Sequence, residues 1–213
     1  MADKRSQVSA KIKITIIVVV LSVAVVLGVK SLKAFVKGSV QANISARVKG
    51  DKKAPVHITE FIDFECPACA EGARHIKKFM TEHPPTVYLE LKYFPLSSHR
   101  YGLLSAQYAE CAGRQGKFWP FHDYLIERQA NWKRLAHAAP AFEQIAQDVD
   151  MNLEILSQCL KDTSVTESIQ KDRQEGDTLG IKSTPTYYIN GKMVVGAASL
   201  GTELNKYVQE AGH

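Results

Sequence analysis

The chain has 213 residues, of which 45% are hydrophobic, 8% aromatic and 23% charged. This mixture is typical of a folded domain with an appended segment and excludes a mainly disordered chain, while 13 Gly and 8 Pro exclude a collagen-like protein. The net charge of +5 is unevenly placed: residues 1–53 carry 11 Lys or Arg against 2 acidic residues, and residues 54–213 carry 16 against 20. The larger part is therefore slightly acidic, which argues against a nucleic-acid-binding surface.

An apolar segment near the N-terminus predicts an export signal or a membrane anchor. Residues 14–29 are uncharged and rich in Ile, Val and Leu, and the basic segment 1–13 before them carries four basic side chains and one acidic one. As a helix, these 16 residues span roughly 24 Å, less than the ~30 Å core of a bilayer, but Lys13 and Lys30 can extend to the headgroups. No Ala-x-Ala motif closes the segment, so a transmembrane signal-anchor helix is favoured over a cleaved signal.

Residues 30–53 are rich in Lys, Ser and Gly, show no sustained period, and are predicted to be a tether. Residues 54–213 are predicted to be the folded domain. We therefore expect a single-pass protein of the cell membrane with its domain outside the cytoplasm, on the periplasmic or outer face. Lysines also follow the apolar segment, so the charge asymmetry that sets orientation is incomplete.

The folded part alternates strand and helix patterns. In chain order we predict a strand over 56–62, a helix from 67 to about 82, a strand over 86–94, helices over about 101–116, 118–129, 140–149, 153–160 and 165–179, strands over 186–189 and 193–195, and a helix over about 200–210. Asn190-Gly191 is a strong signal for a two-residue hairpin turn. This order predicts an α/β fold with a mixed sheet and a helical insertion over about residues 100–180.

Cys66-Pro67-Ala68-Cys69 lies at the start of the first predicted helix. Pro67 suits the first helical position, which leaves Cys66 at the N-cap. There the helix dipole and free N–H groups stabilise a thiolate. Cys69 lies one turn further on the buried side and can attack a mixed disulfide formed at Cys66. Cys66 is therefore predicted to be the nucleophile and Cys69 the resolving thiol.

Two other interpretations of this pair remain open at this stage. The cysteines could be half of a zinc site or an inert structural disulfide. A zinc site would need a second close pair, whereas Cys111 and Cys159 lie 48 positions apart, and the histidines show no ligand spacing. We therefore expect neither a metal nor any other cofactor.

Glu60 is an acidic residue within the first predicted strand. It shares one face of the strand with Val56, Ile58 and Ile62, so a carboxyl group interrupts an otherwise apolar row. A buried acid of raised pKa near the resolving thiol could accept its proton during exchange. The alternative is a side chain at a solvated edge or in a salt bridge.

Several segments resemble those of DsbA-like thiol:disulfide oxidoreductases of the thioredoxin superfamily. The matching stretches are Phe61 to Cys69, Tyr93 to His99, Cys111-Ala112 with Gln115 to Trp119, Gly180 to Thr186, Asn190-Gly191 and Gly196. The resemblance extends in unbroken order over about residues 55–211. It implies a thioredoxin-like fold with an inserted helical subdomain.

The resemblance also implies roles for single residues. Pro185 would be a cis-proline facing the cysteine pair and docking substrate backbone, and Thr184 would lie near the sulfurs. Glu60 falls where the family carries its buried acid. Ala68 departs from the strong oxidants of the family, which carry His there, and this leaves the oxidising strength open.

The two remaining cysteines, Cys111 and Cys159, lie on predicted helices of the insertion. In an oxidising compartment such a pair is expected to form a structural disulfide. Closing that loop would contribute about 4 kcal/mol on the chain-entropy model. Two small buried residues, or a second redox-active pair, are the alternatives.

These observations predict an extracytoplasmic thiol:disulfide oxidoreductase that forms disulfides in reduced substrate proteins through Cys66 and Cys69. By resemblance, a quinone-linked thiol oxidase of the membrane would reoxidise it. The alternatives are a reductase or isomerase fed by a membrane thiol relay, and a non-enzymatic binding module. Two histidines, His99 and His122, are predicted to be surface or capped residues.

Overall fold

The computed structural model describes Ser22 and residues 46–211. The predicted anchor over residues 14–29 lies outside these residues apart from Ser22, and so does most of the predicted tether. In the part that is described, no helix is long and apolar enough to cross a membrane. Contacts divide the chain into two units, residues 1–42 and 43–213, and the elements below belong to the second.

Strands and helices follow the predicted order. The strands are β1 (Val48–Lys49), β2 (Val56–Ile62), β3 (Val87–Tyr93), β4 (Thr186–Ile189) and β5 (Lys192–Val195). The helices of residues 46–211 are α1 (Pro67–Glu82), α2 (Gly102–Arg114), α3 (Phe118–Glu127), α4 (Gln129–Trp132), α5 (Ala139–Asp148), α6 (Leu153–Cys159), α7 (Thr163–Thr178) and α8 (Ala197–Ala211). The predicted α/β fold is confirmed, with α2 to α7 forming the insertion.

The strands form one mixed sheet in the order β1-β3-β2-β4-β5. Strand β2 pairs in parallel with β3 and antiparallel with β4, which places Glu60 between Leu91 and Tyr187. A central strand is covered on both faces, and the residues of β2 are accordingly mostly buried. The hairpin between β4 and β5 turns at Asn190 and Gly191, whose φ angles of 47° and 84° match the expected turn.

Two hydrophobic cores flank the sheet. In one, Ile76 and Phe79 of α1 cluster with Leu200 and Leu204 of α8. In the other, β2 and β3 pack against the insertion, which contributes residues such as Trp132. Both cysteines of the Cys66 pair belong to this second cluster. The N-terminal end of α1 therefore lies where the sheet meets the insertion.

The end of the predicted tether belongs to the fold. Val48 and Lys49 form β1, which pairs antiparallel with β3, although residues 30–53 were expected to be a tether. A strand of two residues is too short to show a period, and it forms only because the edge of β3 offers hydrogen bonds. The folded unit thus begins before residue 54.

Arg47 fastens this N-terminal strand to the sheet and the insertion. The residue is 4% exposed. Its guanidinium forms an ion pair with Asp172 of α7, and its Nε lies 3.7 Å from Oε2 of Glu110 of α2. It also donates to the carbonyl oxygen of Leu91 at 3.2 Å and lies 4.5 Å from the centre of the Tyr93 ring. A buried charge requires such partners, so Arg47 is an integral part of the domain.

The insertion is cross-linked by a disulfide between Cys111 and Cys159, whose sulfurs are 2.10 Å apart. It joins the C-terminal half of α2 to the last residue of α6. Both cysteines are buried. This bond closes a loop within the insertion and involves neither Cys66 nor Cys69, which are free.

We expect Gly72→Ala to destabilise the domain. A Cβ atom at Gly72 of α1 would lie 1.9 Å from the hydroxyl of Tyr187, which is completely buried and has little room to move. The overpacking should lower the free energy of unfolding by about 1–3 kcal/mol in urea denaturation.

Gly201→Ala in α8 is the matched control. The nearest atom to its Cβ would be Nδ1 of His75 at 3.9 Å, so this change should stabilise the protein by about 0.4–1 kcal/mol. Equal stability of the two variants would contradict the close packing of Gly72 on Tyr187.

Candidate active site

Helix α1 begins directly after a short loop that follows β2. Cys66 is the N-cap residue, with an extended backbone, and Pro67 is the first helical residue. The N–H of Cys66 donates to the carbonyl oxygen of Asp63 at 3.0 Å, which closes the loop. The sequence predicted this N-cap, and the geometry points the free N–H groups of the first helical turn toward the Cys66 sulfur.

Cys66 carries an acidic thiol. Its pKa is lowered to about 5, mainly by the hydrogen bond from the Cys69 thiol, against the opposing effect of burial. The N–H groups of Ala68 and Cys69 contribute in the same direction, as expected at a helix N-terminus. The residue is 8% exposed, so a substrate can reach the Cys66 sulfur only through a small opening in the surface.

Cys69 has the opposite character. It is completely buried, and burial raises its pKa well above the ordinary thiol value. Its sulfur accepts a hydrogen bond from the N–H of Asp63 at 3.4 Å. The two thiols of the pair therefore differ sharply: one is ionised at neutral pH and the other keeps its proton.

The loop before β4 faces the Cys66 sulfur. The Thr184–Pro185 peptide bond is cis, and the protonated Cys66 thiol donates to the carbonyl oxygen of Thr184 at 3.2 Å. The Thr184 hydroxyl is buried without a partner of its own in the described residues. It can donate to the sulfur once Cys66 is ionised, and such a bond lowers the Cys66 pKa.

Glu60 lies beneath the pair, in the middle of β2. It is 1% exposed, and burial raises its pKa to about 8, an effect that the neighbouring Tyr187 hydroxyl offsets only in part. Its charge in turn raises the pKa of Cys69, so the two groups are electrostatically coupled. A solvated edge is excluded by this burial, and the ion pairs found for residues 46–211 do not include Glu60.

Asp63 is a site residue that the sequence analysis missed. Its carboxylate is 1% exposed and accepts hydrogen bonds from the N–H groups of Glu65 at 2.8 Å and Leu96 at 2.7 Å. It also contacts Nδ1 of His99 at 2.8 Å. The signal was present in the sequence, as an acid between two large apolar residues, Ile62 and Phe64, shortly before the cysteine pair. His99 is thus a partner of the active-site loop.

Two residues of the insertion also hold this loop. The side-chain amide of Gln129 donates to the carbonyl oxygens of Phe64 at 2.7 Å and Cys66 at 2.9 Å. The N–H of Tyr101 donates to the carboxylate of Glu65. Sequence offers no signal for Gln129, because it lies 63 residues from Cys66.

The candidate site is built from two thiols, a carboxyl group and backbone donors. Among Ser22 and residues 46–211, no group of three or more His, Cys, Asp or Glu side chains is arranged to hold a metal ion. An ionised outer thiol beside a protonated inner thiol and a buried acid is suited to thiol–disulfide exchange. In such an exchange, the Cys66 sulfur forms the mixed disulfide with the partner thiol, and the Cys69 sulfur resolves it.

We expect Cys69→Ala to raise the pKa of Cys66 from about 5 toward the ordinary thiol value, because the bond from Cys69 is the largest effect that lowers it. Cys69→Ser keeps a hydroxyl donor and should retain most of the effect. The ultraviolet absorbance of the thiolate, followed against pH, measures both. An unchanged pKa in Cys69→Ala would mean that the helix N-terminus alone stabilises the thiolate.

Glu60 should make stability depend on pH. Between its ordinary pKa of 4.5 and the folded value of about 8, the folded protein retains a proton that the unfolded chain has released. Stability should therefore fall as pH rises through this window, by up to roughly 1.4 kcal/mol per pH unit. Urea denaturation of the disulfide form, in which Cys66 and Cys69 do not titrate, measures this slope.

Glu60→Gln should flatten that slope, because the variant has no proton to lose. Glu71→Gln, at an exposed position of α1, is the control and should keep the slope of the wild-type protein. A slope that persists in Glu60→Gln would assign the pH dependence to another group.

Comparison with protein families supports the same chemistry. A family model described as thioredoxin matches residues 42–210. Among curated relatives, the chain is 30% identical over 147 residues to a protein named Na(+)/H(+) antiporter NhaA 3 of Salinispora tropica, a match that covers 68% of this chain and 22% of the relative. The chain thus spans less than a quarter of the length of that relative.

Solved structures share the fold. BdbD from Bacillus subtilis superimposes with a TM-score of 0.65 at 22% identity, covering 78% of this chain and 95% of that one. Alpha-DsbA1 from Wolbachia pipientis gives a TM-score of 0.65 at 20% identity, covering 78% and 92%. Because the family model spans most of the sequence and these structures superimpose over more than three quarters of the chain, the chain belongs to the thioredoxin family and has a DsbA-like fold.

Proposed function

We propose that this protein oxidises pairs of thiols in substrate proteins through a Cys66–Cys69 disulfide. The observation that carries the proposal is the difference between the two thiols: the pKa of Cys66 is lowered to about 5, while that of Cys69 is raised. A stabilised Cys66 thiolate favours the reduced form of the pair, which makes the disulfide form an oxidant.

The exchange proceeds in two steps. A substrate thiolate attacks Sγ of Cys66, which breaks the Cys66–Cys69 bond, and Cys69 leaves with the electron pair and takes a proton from Glu60. The second thiolate of the substrate then attacks the first substrate sulfur, and Cys66 leaves as a stable thiolate. Two electrons pass from the substrate to the protein, and the substrate gains a disulfide.

Ala68 cannot stabilise the Cys66 thiolate as a histidine at this position can, but other donors compensate for it. The Cys69 thiol, the backbone N–H groups and Thr184 stabilise the thiolate without it. A pKa of about 5 lies between ~3.5 for DsbA and ~7 for thioredoxin. We therefore infer a reduction potential between those of these two proteins, about −120 and −270 mV, and nearer to the oxidising end.

We further propose that the domain is tethered to the cell membrane and works outside the cytoplasm, where a quinone-linked thiol oxidase of the membrane reoxidises it. The basic and apolar N-terminal segments support a tether. The Cys111–Cys159 disulfide supports an oxidising compartment.

Relatives named as Na(+)/H(+) antiporters contain a region similar to this chain, so such a domain also occurs joined to a membrane transporter. A tether would keep the domain close to its oxidase.

The reduction potential of the Cys66–Cys69 pair is the measurement that tests the direction of electron flow. Equilibration of the full chain in detergent with glutathione buffers should give a value of about −120 to −200 mV. A value near or below about −250 mV would contradict the oxidase and favour a reductase or isomerase supplied by a membrane thiol relay.

Trapping of mixed disulfides tests exchange itself. Cys69→Ala retains the reactive Cys66 but cannot resolve the intermediate, so it should accumulate disulfide-linked adducts with substrate proteins. Cys66→Ala is the control and should form none. Adducts absent from Cys69→Ala would favour a binding module in which the pair has no exchange role.

A further inference from the structure

A narrow cleft of about 20 Å³, which has room for roughly one water molecule, extends from Glu60 to the surface of the insertion. Glu60 and His122 both line it, together with Lys49, Lys77, Trp119 and Asp123. Neither Cys66 nor Cys69 lines this cleft. A second route therefore leads to the buried carboxyl group, apart from the opening through which a substrate reaches the Cys66 sulfur.

Two acid–base atoms in this cleft have no partner. Oε1 of Glu60 and Nε2 of His122 are both buried, and neither makes a hydrogen bond within the described part of the chain. His122 is only 6% exposed, so of the two predicted alternatives, a surface or a capped residue, the first is wrong. Buried polar atoms are normally hydrogen-bonded to protein or water, so a pair of them along one cleft indicates water or proton transfer between them.

The other side of His122 is held by a chain of charges that leads outward. Nδ1 of His122 lies 2.9 Å from Oδ1 of Asp123, and Nζ of Lys77 donates to Oδ2 of Asp123 at 2.8 Å. Side-chain exposure rises along this chain, from 7% at His122 to 28% at Asp123 and 53% at Lys77. The chain thus runs from the interior to solvent.

This arrangement fixes the tautomer of the imidazole. Although burial opposes it, the hydrogen bonds from His122 and Lys77 hold the pKa of Asp123 well below its ordinary value. An ionised Asp123 accepts the Nδ1–H of His122, which leaves Nε2 as the basic atom. That atom is the one without a partner.

From the shared cleft and these contacts, we propose that His122, positioned by Asp123 and Lys77, relays protons between Glu60 and solvent during thiol–disulfide exchange. The inference rests on the proposed function and adds a route for its proton. When Cys69 leaves Cys66 as a thiolate and takes the proton of Glu60, the carboxylate regains one from the His122 imidazolium through water in the cleft. His122 then takes a proton from solvent, and the reverse reaction runs the same path backward.

Other charged groups lie close to the cleft that His122 lines. Lys49 of β1 lies over the Trp119 ring at 5.1 Å, and Glu127 lies 3.6 Å from Lys77. With Glu60, Lys77 and Asp123 they are the charged groups that line the cleft or contact its lining.

The test is the rate at which dithiothreitol reduces the Cys66–Cys69 disulfide of the full chain, measured across the neutral pH range by stopped-flow fluorescence. His122→Gln removes the imidazole, and His137→Gln, at an exposed position of the insertion, is the control. We expect the disulfide of His122→Gln to be reduced roughly 10–100-fold more slowly than that of the wild-type protein, and with a flatter pH profile. This loss lies at or below the low end of the rate effects of positioned acid–base groups. His137→Gln should match the wild-type protein.

Three further readouts separate a proton relay from a structural role. The reduction potential and the Cys66 pKa should be unchanged in His122→Gln, because a relay alters rates and not equilibria. Added imidazole should restore part of the rate in His122→Gly, while the melting temperature reports any loss of folding. A shifted potential, or a slow rate that imidazole does not restore in a folded variant, would overturn the relay.

The outcomes also distinguish this inference from the proposed function. If the wild-type protein exchanges normally and His122→Gln is equally fast, the relay is overturned while the proposed function stands. If dithiothreitol reduces the wild-type disulfide but Cys69→Ala forms no adducts with substrate proteins, the proposed function is contradicted, while the pH profiles still decide the relay.

Discussion

A buried carboxylate, Asp63, directly follows strand β2, and the geometry of the cysteine pair depends on the hydrogen bonds of that residue. Its oxygens accept from Glu65, Leu96 and His99, which satisfies a charge that would otherwise be costly to bury. Its backbone receives the N–H of Cys66 and donates to the sulfur of Cys69. One residue thus sets the turn from strand to helix and contacts both cysteines.

This turn places two chemically equivalent side chains in opposite environments. Cys66 faces the first N–H groups of α1 and the loop of the cis-proline, whereas Cys69 and Glu60 lie in the low-dielectric interior. Backbone donors stabilise the outer thiolate, and desolvation keeps the inner thiol and the acid protonated. In the proposed exchange, the electron pair is therefore transferred at Cys66, and the proton is transferred in the interior.

The insertion does more than cover one face of the sheet. Gln129 holds the carbonyl oxygen of Cys66, and Trp119 donates to the carbonyl oxygen of Val48 at 3.0 Å. Arg47 joins the same N-terminal strand to α2 and α7. The insertion thus contacts both the redox loop and the strand that follows the N-terminal segment, and its His122 and Asp123 form one wall of the cleft to Glu60.

Local spacing in the sequence is enough to predict the strand over 56–62, the helix starting at Pro67, the cysteine pair at the start of that helix and the hairpin turn at Asn190-Gly191. Periodicity also marked Glu60 as an acid in an apolar row, and family resemblance supplied the cis-proline. The sequence could not predict which distant groups meet, namely β1 with β3, His99 with Asp63, and Gln129 with Cys66. The physical reason is that turns, caps and faces arise from neighbours within a few residues, whereas these contacts arise only after the sheet and the insertion have packed together.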